Sequence, residues 1–184
     1  MRDSALFGLR LTLGGYLAVH GAQKLFGSFD GPGLDKTSAG FEHLGLKPGR
    51  VFAALAGGSE LAGGLLTAAG AAGPVGPMAI AGAMAVASTT HADRGPMIQK
   101  GGFELPATNL AAAIALIALG PGRYSIDRLL GIRLPKVVTR LAVLGAGILT
   151  TYSAVQVFRT KRASAPTDSA PTPSEVVDAE QVSA

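Results

Sequence analysis

Six ionisable side chains, Arg10, His20, Lys24, Glu60, His91 and Glu104, stand inside or at the edges of apolar stretches of this chain. Glu60 is the most isolated: from Val51 to Thr90, forty residues, no other residue is charged. A charged side chain at the centre of a bilayer costs roughly 2.5–3.5 kcal/mol to insert, so it normally faces a bundle interior or a cavity and has a partner. Two kinds of chemistry fit. A buried acid–base set can exchange protons with, or hydrogen-bond, a polar ligand head. It can equally form an ion pair that locks two helices together.

The partners available to Glu60 come from the first apolar stretch. On a helix, Arg10, His20 and Lys24 fall within an arc of about 80°, and His20 and Lys24 are i,i+4 neighbours. Arg10 and Lys24 can also snorkel to opposite interfaces. His20 lies deeper and suits a hydrogen-bond partner, a proton relay or a ligand. Glu60, Gly64 and Thr67 share one face of their own helix, and Gly57, Gly58, Gly63 and Gly64 keep the surroundings of the carboxylate small. Another helix or a flat ligand can therefore approach that backbone closely. His91 closes an apolar stretch beside Asp93 and Arg94, where a helix C-terminus favours a cation. Glu104 opens the next stretch. No H-x-x-H or H-E-x-x-H spacing occurs, so no metal site is expected, and no Walker A loop, nucleophile elbow or dinucleotide fingerprint is present. With no Cys in the sequence, thiolate ligation and disulfide exchange fall outside what this chain does.

The elements that position these residues read as five hydrophobic spans, about Ala5–Phe26, Arg50–Ala71, Val75–Thr90, Phe103–Leu119 and Val137–Phe158. A polar, Gly-rich loop from Gly27 to Gly49 separates the first two. Gly73-Pro74-Val75-Gly76-Pro77 breaks the chain between the second and third. A helix needs about 20 residues to cross the hydrocarbon core, so the third and fourth spans are short. A soluble bundle would need polar outer faces, which the second and third spans lack. The expected fold is all-α: a polytopic four-helix transmembrane bundle over residues 1–130, a fifth transmembrane helix over 137–158, and a disordered acidic Ala/Pro/Ser/Thr-rich tail over 163–184. The N-terminal stretch reads as a retained span, since it carries Arg10 and lacks an A-x-A-like exit.

Charge agrees with a membrane setting. Only 15% of the 184 residues are charged and 48% are hydrophobic, against about 25% charged in soluble domains. All 16 Lys and Arg and 8 acids lie in residues 1–162, a net of +8. The other 4 acids, with no base, lie in 163–184. The basic residues gather in loops and at helix ends, which is membrane-flanking charge rather than a nucleic-acid surface. Arg123, Arg128, Arg133 and Lys136 favour a cytoplasmic loop after the fourth span and so an N-terminus inside. Arg159, Lys161 and Arg162 favour the opposite, and one span separates the two groups.

Certain motifs, taken in order, resemble a known family. Arg10 is followed by Gly14-Gly15 and then His20-Gly21-Ala22-Gln23-Lys24-Leu25-Phe26-Gly27. Glu60-Leu61-Ala62-Gly63-Gly64, His91 and Gly102-Phe103-Glu104 come next. Gly120-Pro121-Gly122-Arg123-Tyr124-Ser125-Ile126-Asp127 stands after the fourth span. This set, over about residues 5–130, resembles the DoxX family of bacterial integral membrane proteins. The fifth span and the tail fall outside its four-helix core. The resemblance implies a multi-pass protein of the bacterial plasma membrane and an association with redox chemistry. Related DoxD-type subunits belong to thiosulfate:quinone oxidoreductases, and some DoxX members are membrane partners of a superoxide dismutase and a sulfurtransferase. Three functional readings stay open: a quinone-contacting subunit of an oxidoreductase system with a His/Lys/Glu pocket, a non-catalytic scaffold for soluble redox enzymes, and a small-molecule or proton transporter. A homo-oligomer is compatible with each.

Overall fold

The computed structural model describes residues 1–163; the acidic tail from residue 164 onwards lies outside the described residues. Seven α-helices and two short 3-10 turns make up the described chain, with no β-strand among the described residues. The helices are α1 (Arg2–Phe26), α2 (Gly33–His43), α3 (Gly49–Ala69), α4 (Val75–Thr90), α5 (Glu104–Leu119), α6 (Ile126–Leu130) and α7 (Lys136–Ala163).

The helix ends follow from local chemistry. Gly27 closes α1 in the left-handed region at φ 71°, donating its N–H to Gln23 O, and Gly70 closes α3 in the same way at φ 64°. A glycine adopts this conformation without the Cβ penalty other residues pay. Gly70 thus stops the second span at Ala69, two residues before its expected end. At the other extreme α7 runs five residues beyond Phe158, through a stretch rich in the good helix formers Arg and Lys.

The stretch expected to be a loop between Gly27 and Gly49 contains α2. Glycines at 33 and 40 and a polar composition hide it in the sequence. Packing on α3 forms it: Thr37 is buried, and Phe41 packs beside the cluster of Leu46, Phe52 and Val157. Thr37 and Ser38 turn their hydroxyls back onto the carbonyls of Gly33 and Leu34.

Helices α1, α3, α4 and α5 close a ring, each packed on the next, with α7 outside against α4 and α2 across the start of α3. The interior of the ring holds Leu6, Leu13 and Leu17 from α1, Ile80 and Met84 from α4, and Ala113 and Leu116 from α5. The tightest pair is α1 on α3. Gly14 faces Gly64 and Gly21 faces Gly57, so the two helices run antiparallel. A Cβ added to Gly14 would lie 2.5 Å from Gly64 O and 2.6 Å from Ala68 N. Small residues seven apart on both helices therefore let the backbones themselves touch, the packing that dispersion rewards where no hydrophobic drive operates.

Among the described residues two helices, Gly49–Ala69 and Val137–Thr160 within α7, are long and apolar enough to cross a membrane; α4 and α5 are shorter apolar helices. At 16 residues each, α4 and α5 are about 24 Å long, against a hydrocarbon core of about 30 Å.

Candidate functional site

The polar residues gather at two opposite ends of the ring. Arg10 and Lys24 are fourteen residues apart on one helix, about 21 Å along its axis. The shared face read from the sequence is real as an angle, but it serves two separate sites.

At the end where α1 finishes, Lys24 Nζ donates directly to Glu60 Oε2. The Glu60 side chain is 5% exposed and that of Lys24 28%, so the carboxylate is buried and its partner reaches in from the edge. The glycine contacts explain how they meet. Lys24 and Leu25 lie against the bare backbone of Gly57, one turn before Glu60. Of the three partners open to Glu60 in the sequence, the structure selects Lys24.

The pair sits on the wall of a cavity of about 440 Å³. Most of the wall is apolar, from α2 (Phe41) and Leu44 just after it, α3 (Phe52, Leu55), α4 (Met78, Val86) and α7 (Leu149). The polar lining is Lys24, Glu60, Ser59, Thr90, His91, Thr150 and Ser153. His91 Nδ1 lies 2.8 Å from Gly101 O. A carbonyl only accepts, so Nδ1–H donates to it and the orientation of the ring is set. His91 is therefore an oriented group of this cavity and not only a charge at a helix end.

Two other candidates stay apart from it. His20 is exposed on α1 and lies outside the cavity lining. Glu104 begins α5 and accepts from Ile98 N at 3.1 Å, holding the turn between α4 and α5. A carboxylate in the first turn of a helix is favoured by the macrodipole. Among the described residues no group of three or more His, Cys, Asp or Glu is arranged to hold a metal ion.

At the opposite end Arg10, 2% exposed, donates through Nη1 to Pro121 O and through Nη2 to Tyr124 O. Its guanidinium carbon lies 5.8 Å from the Phe7 ring centre, and Phe7 meets Tyr124 edge-on at 6.1 Å. The Gly120–Asp127 loop is tied down on all sides. Arg123 N donates to Asp3 Oδ1 at 3.0 Å, Ser125 Oγ accepts from Arg128 N, and Ser125 Oγ donates to Gly122 O. Asp127 accepts from Ala72 N at 3.0 Å and Gly73 N at 2.6 Å. Ala72 has φ 58°, a costly conformation for a residue with a Cβ, and the Asp127 carboxylate holds it there. This end is a clamp joining α1, the α3–α4 turn and the loop after α5, in which Gly70 leaves no space for a side chain beside Arg10 and Ser125.

Sequence reasoning missed Ser59, Thr90, Thr150 and Ser153. A signal existed for the last two: Ala142, Ala146, Thr150 and Ser153 recur at helical spacing along the fifth span, a small and polar stripe on an otherwise bulky helix.

Fold and site together define a helical protein with membrane-like helices and a polar-ended cavity. The DoxX family model matches residues 5–92, which supports DoxX family membership, and DoxX is a membrane family. The match takes in Arg10, His20, Lys24, Glu60 and His91; Glu104, the Gly120–Asp127 loop and α7 lie beyond it. No curated protein and no solved structure matches this chain.

Proposed function

We propose that the chain is a multi-pass protein of the bacterial plasma membrane in which α1, α3, α4 and α5 span the bilayer as a bundle and α7 spans it as a fifth helix. It serves as the membrane component of a redox or thiol-detoxification system, with a quinone as the ligand of the cavity beside Lys24 and Glu60. The observation that carries this reading is the 440 Å³ cavity, apolar over most of its wall, with the Lys24–Glu60 pair and His91 among its polar lining. Small-molecule sites are concave, mostly apolar, about 300–1,000 Å³, and have a few placed polar groups.

The residues present fit a quinone head. Lys24 brings three N–H donors, of which one is committed to Glu60, so a ligand carbonyl has a charged donor to meet. Glu60 holds Lys24 Nζ at the apolar wall, and Gly101 fixes the ring of His91. A bound quinone supplies transport of two electrons and two protons. With no Cys in this sequence, thiol steps fall to soluble partners of the superoxide dismutase and sulfurtransferase kinds.

The test is extraction of the protein purified in mild detergent, with quinone quantified against protein and co-purified lipid. The native chain should retain quinone well above its ratio in bulk lipid, and Glu60→Gln should lose it at least tenfold while still accumulating in the membrane. Quinone at only the bulk-lipid ratio in the native chain would overturn the reading. A scaffold is the second reading, favoured by one observation: the Lys24–Glu60 contact joins the two closest-packed helices. On that reading Glu60→Gln lowers bundle stability, and soluble enzymes are captured without any ligand.

A further inference from the structure

The cavity is not enclosed by the ring of four helices. Its α3 and α4 walls lie on the outer side of the ring, facing α7. Of these elements, α7 lies beyond the stretch that the family model matches. Without it, Leu55, Ala56 and Ser59 of α3 and Met78, Ala79 and Ala83 of α4 form an open groove.

Helix α7 covers the groove without filling it. Its inner stripe reads Ala142, Gly145, Ala146, Leu149, Thr150 and Ser153, with one bulky side chain among the six. The helix is anchored towards its C-terminal half. Tyr152 stacks on Phe52 at 6.0 Å and 9°, Val157 packs with Leu46 and Phe52, and Thr150 Oγ1 donates to Gly82 O at 3.5 Å. Gly145 lies about 10 Å along the axis from Tyr152, away from these anchors. An added Cβ at Gly145 meets nothing within 4 Å, although the position lines the cavity. Gly145 is exposed, and a larger side chain there is accommodated without displacing backbone.

We propose that α7 is the specificity wall of this site and that Gly145 sets the cross-section of what it admits. The ligand class is an amphiphile dissolved in the membrane, with its polar head at Lys24 and Glu60 and its apolar chain lying along the α7 stripe past Gly145. This rests on the ligand reading of the cavity. Gly147 supplies a matched control on the same helix. It lies about 200° further around, outside the cavity lining, and its added Cβ also meets nothing within 4 Å.

The experiment is calorimetric titration of the full chain in detergent with a decyl-substituted benzoquinone, for the native protein, Gly145→Phe and Gly147→Phe. The expected result is at least tenfold weaker binding for Gly145→Phe and less than a twofold change for Gly147→Phe. Native-like binding by Gly145→Phe overturns the wall assignment and leaves the proposed function standing. Equal loss in both variants also overturns it, because the effect then belongs to the helix and not to the cavity. Absence of binding by all three proteins overturns the proposed function and this inference with it.

Discussion

Glu60 and Lys24 form a pair in which each removes the other's cost. A carboxylate 5% exposed in an apolar wall is tolerated because an ammonium group sits on it. Lys24→Met leaves that charge uncompensated and is expected to lower stability by about 3–5 kcal/mol, whereas the double change Lys24→Met with Glu60→Leu removes both charges and recovers most of the loss. Denaturant unfolding in detergent micelles measures both; a double variant no more stable than Lys24→Met would show that the two groups are not energetically coupled. Arg10 is a different kind of residue. Its fork serves two carbonyl oxygens that no other side chain in the clamp satisfies, and a lysine has one nitrogen to offer in place of two.

Among the elements, α1 and α3 carry the sharpest constraint, because their glycines place backbone on backbone. Neighbouring glycines separate packing from propensity. Gly14 faces Gly64 and Ala68 with no room for a methyl group, while Gly15, the next residue, has nothing within 4 Å. Gly14→Ala is expected to cost about 1–3 kcal/mol through overpacking. Gly15→Ala should be neutral or stabilising by about 0.5–1 kcal/mol, since alanine is the better helix former. Thermal unfolding of the two variants side by side decides this, and equal effects would mean that α1 and α3 are not in backbone contact. At the same scale α7 differs from the ring helices: it packs mainly on α4, with Tyr152 and Val157 reaching Phe52 of α3.

For the whole molecule the antiparallel ring separates two ends with different work. One end holds the cavity and its acid–base pair; the other holds the clamp through Arg10 and Asp127. If α1, α3, α4, α5 and α7 all span, Asp30 and Gln99 lie on one side of the membrane and Arg133 on the other. The sequence has no Cys, so single reporters are unambiguous. In whole cells a membrane-impermeant maleimide should label Asp30→Cys and Gln99→Cys and leave Arg133→Cys unlabelled until the membrane is opened, which also places the N-terminus inside. Labelling of all three before opening would overturn the five-span arrangement, and the reverse pattern would invert its orientation.

The apolar helices and the lone carboxylate were legible in the residues alone because hydrophobic runs and the cost of a buried charge are local properties of a chain. The end of α1 at Phe26 was legible too, whereas α3 stops two residues short of its expected end because Gly70 caps it. Partner choice was not. Arg10, His20 and Lys24 share a helical arc, and an arc carries no information about height; only the antiparallel seating of Gly14 on Gly64 and Gly21 on Gly57 sets Lys24 opposite Glu60 and sends Arg10 to the far end. Helix α2 and the α7 wall were hidden for the same reason. Their residues acquire a role through burial against α3 and α4, and that burial is a property of the packed molecule rather than of any segment of it.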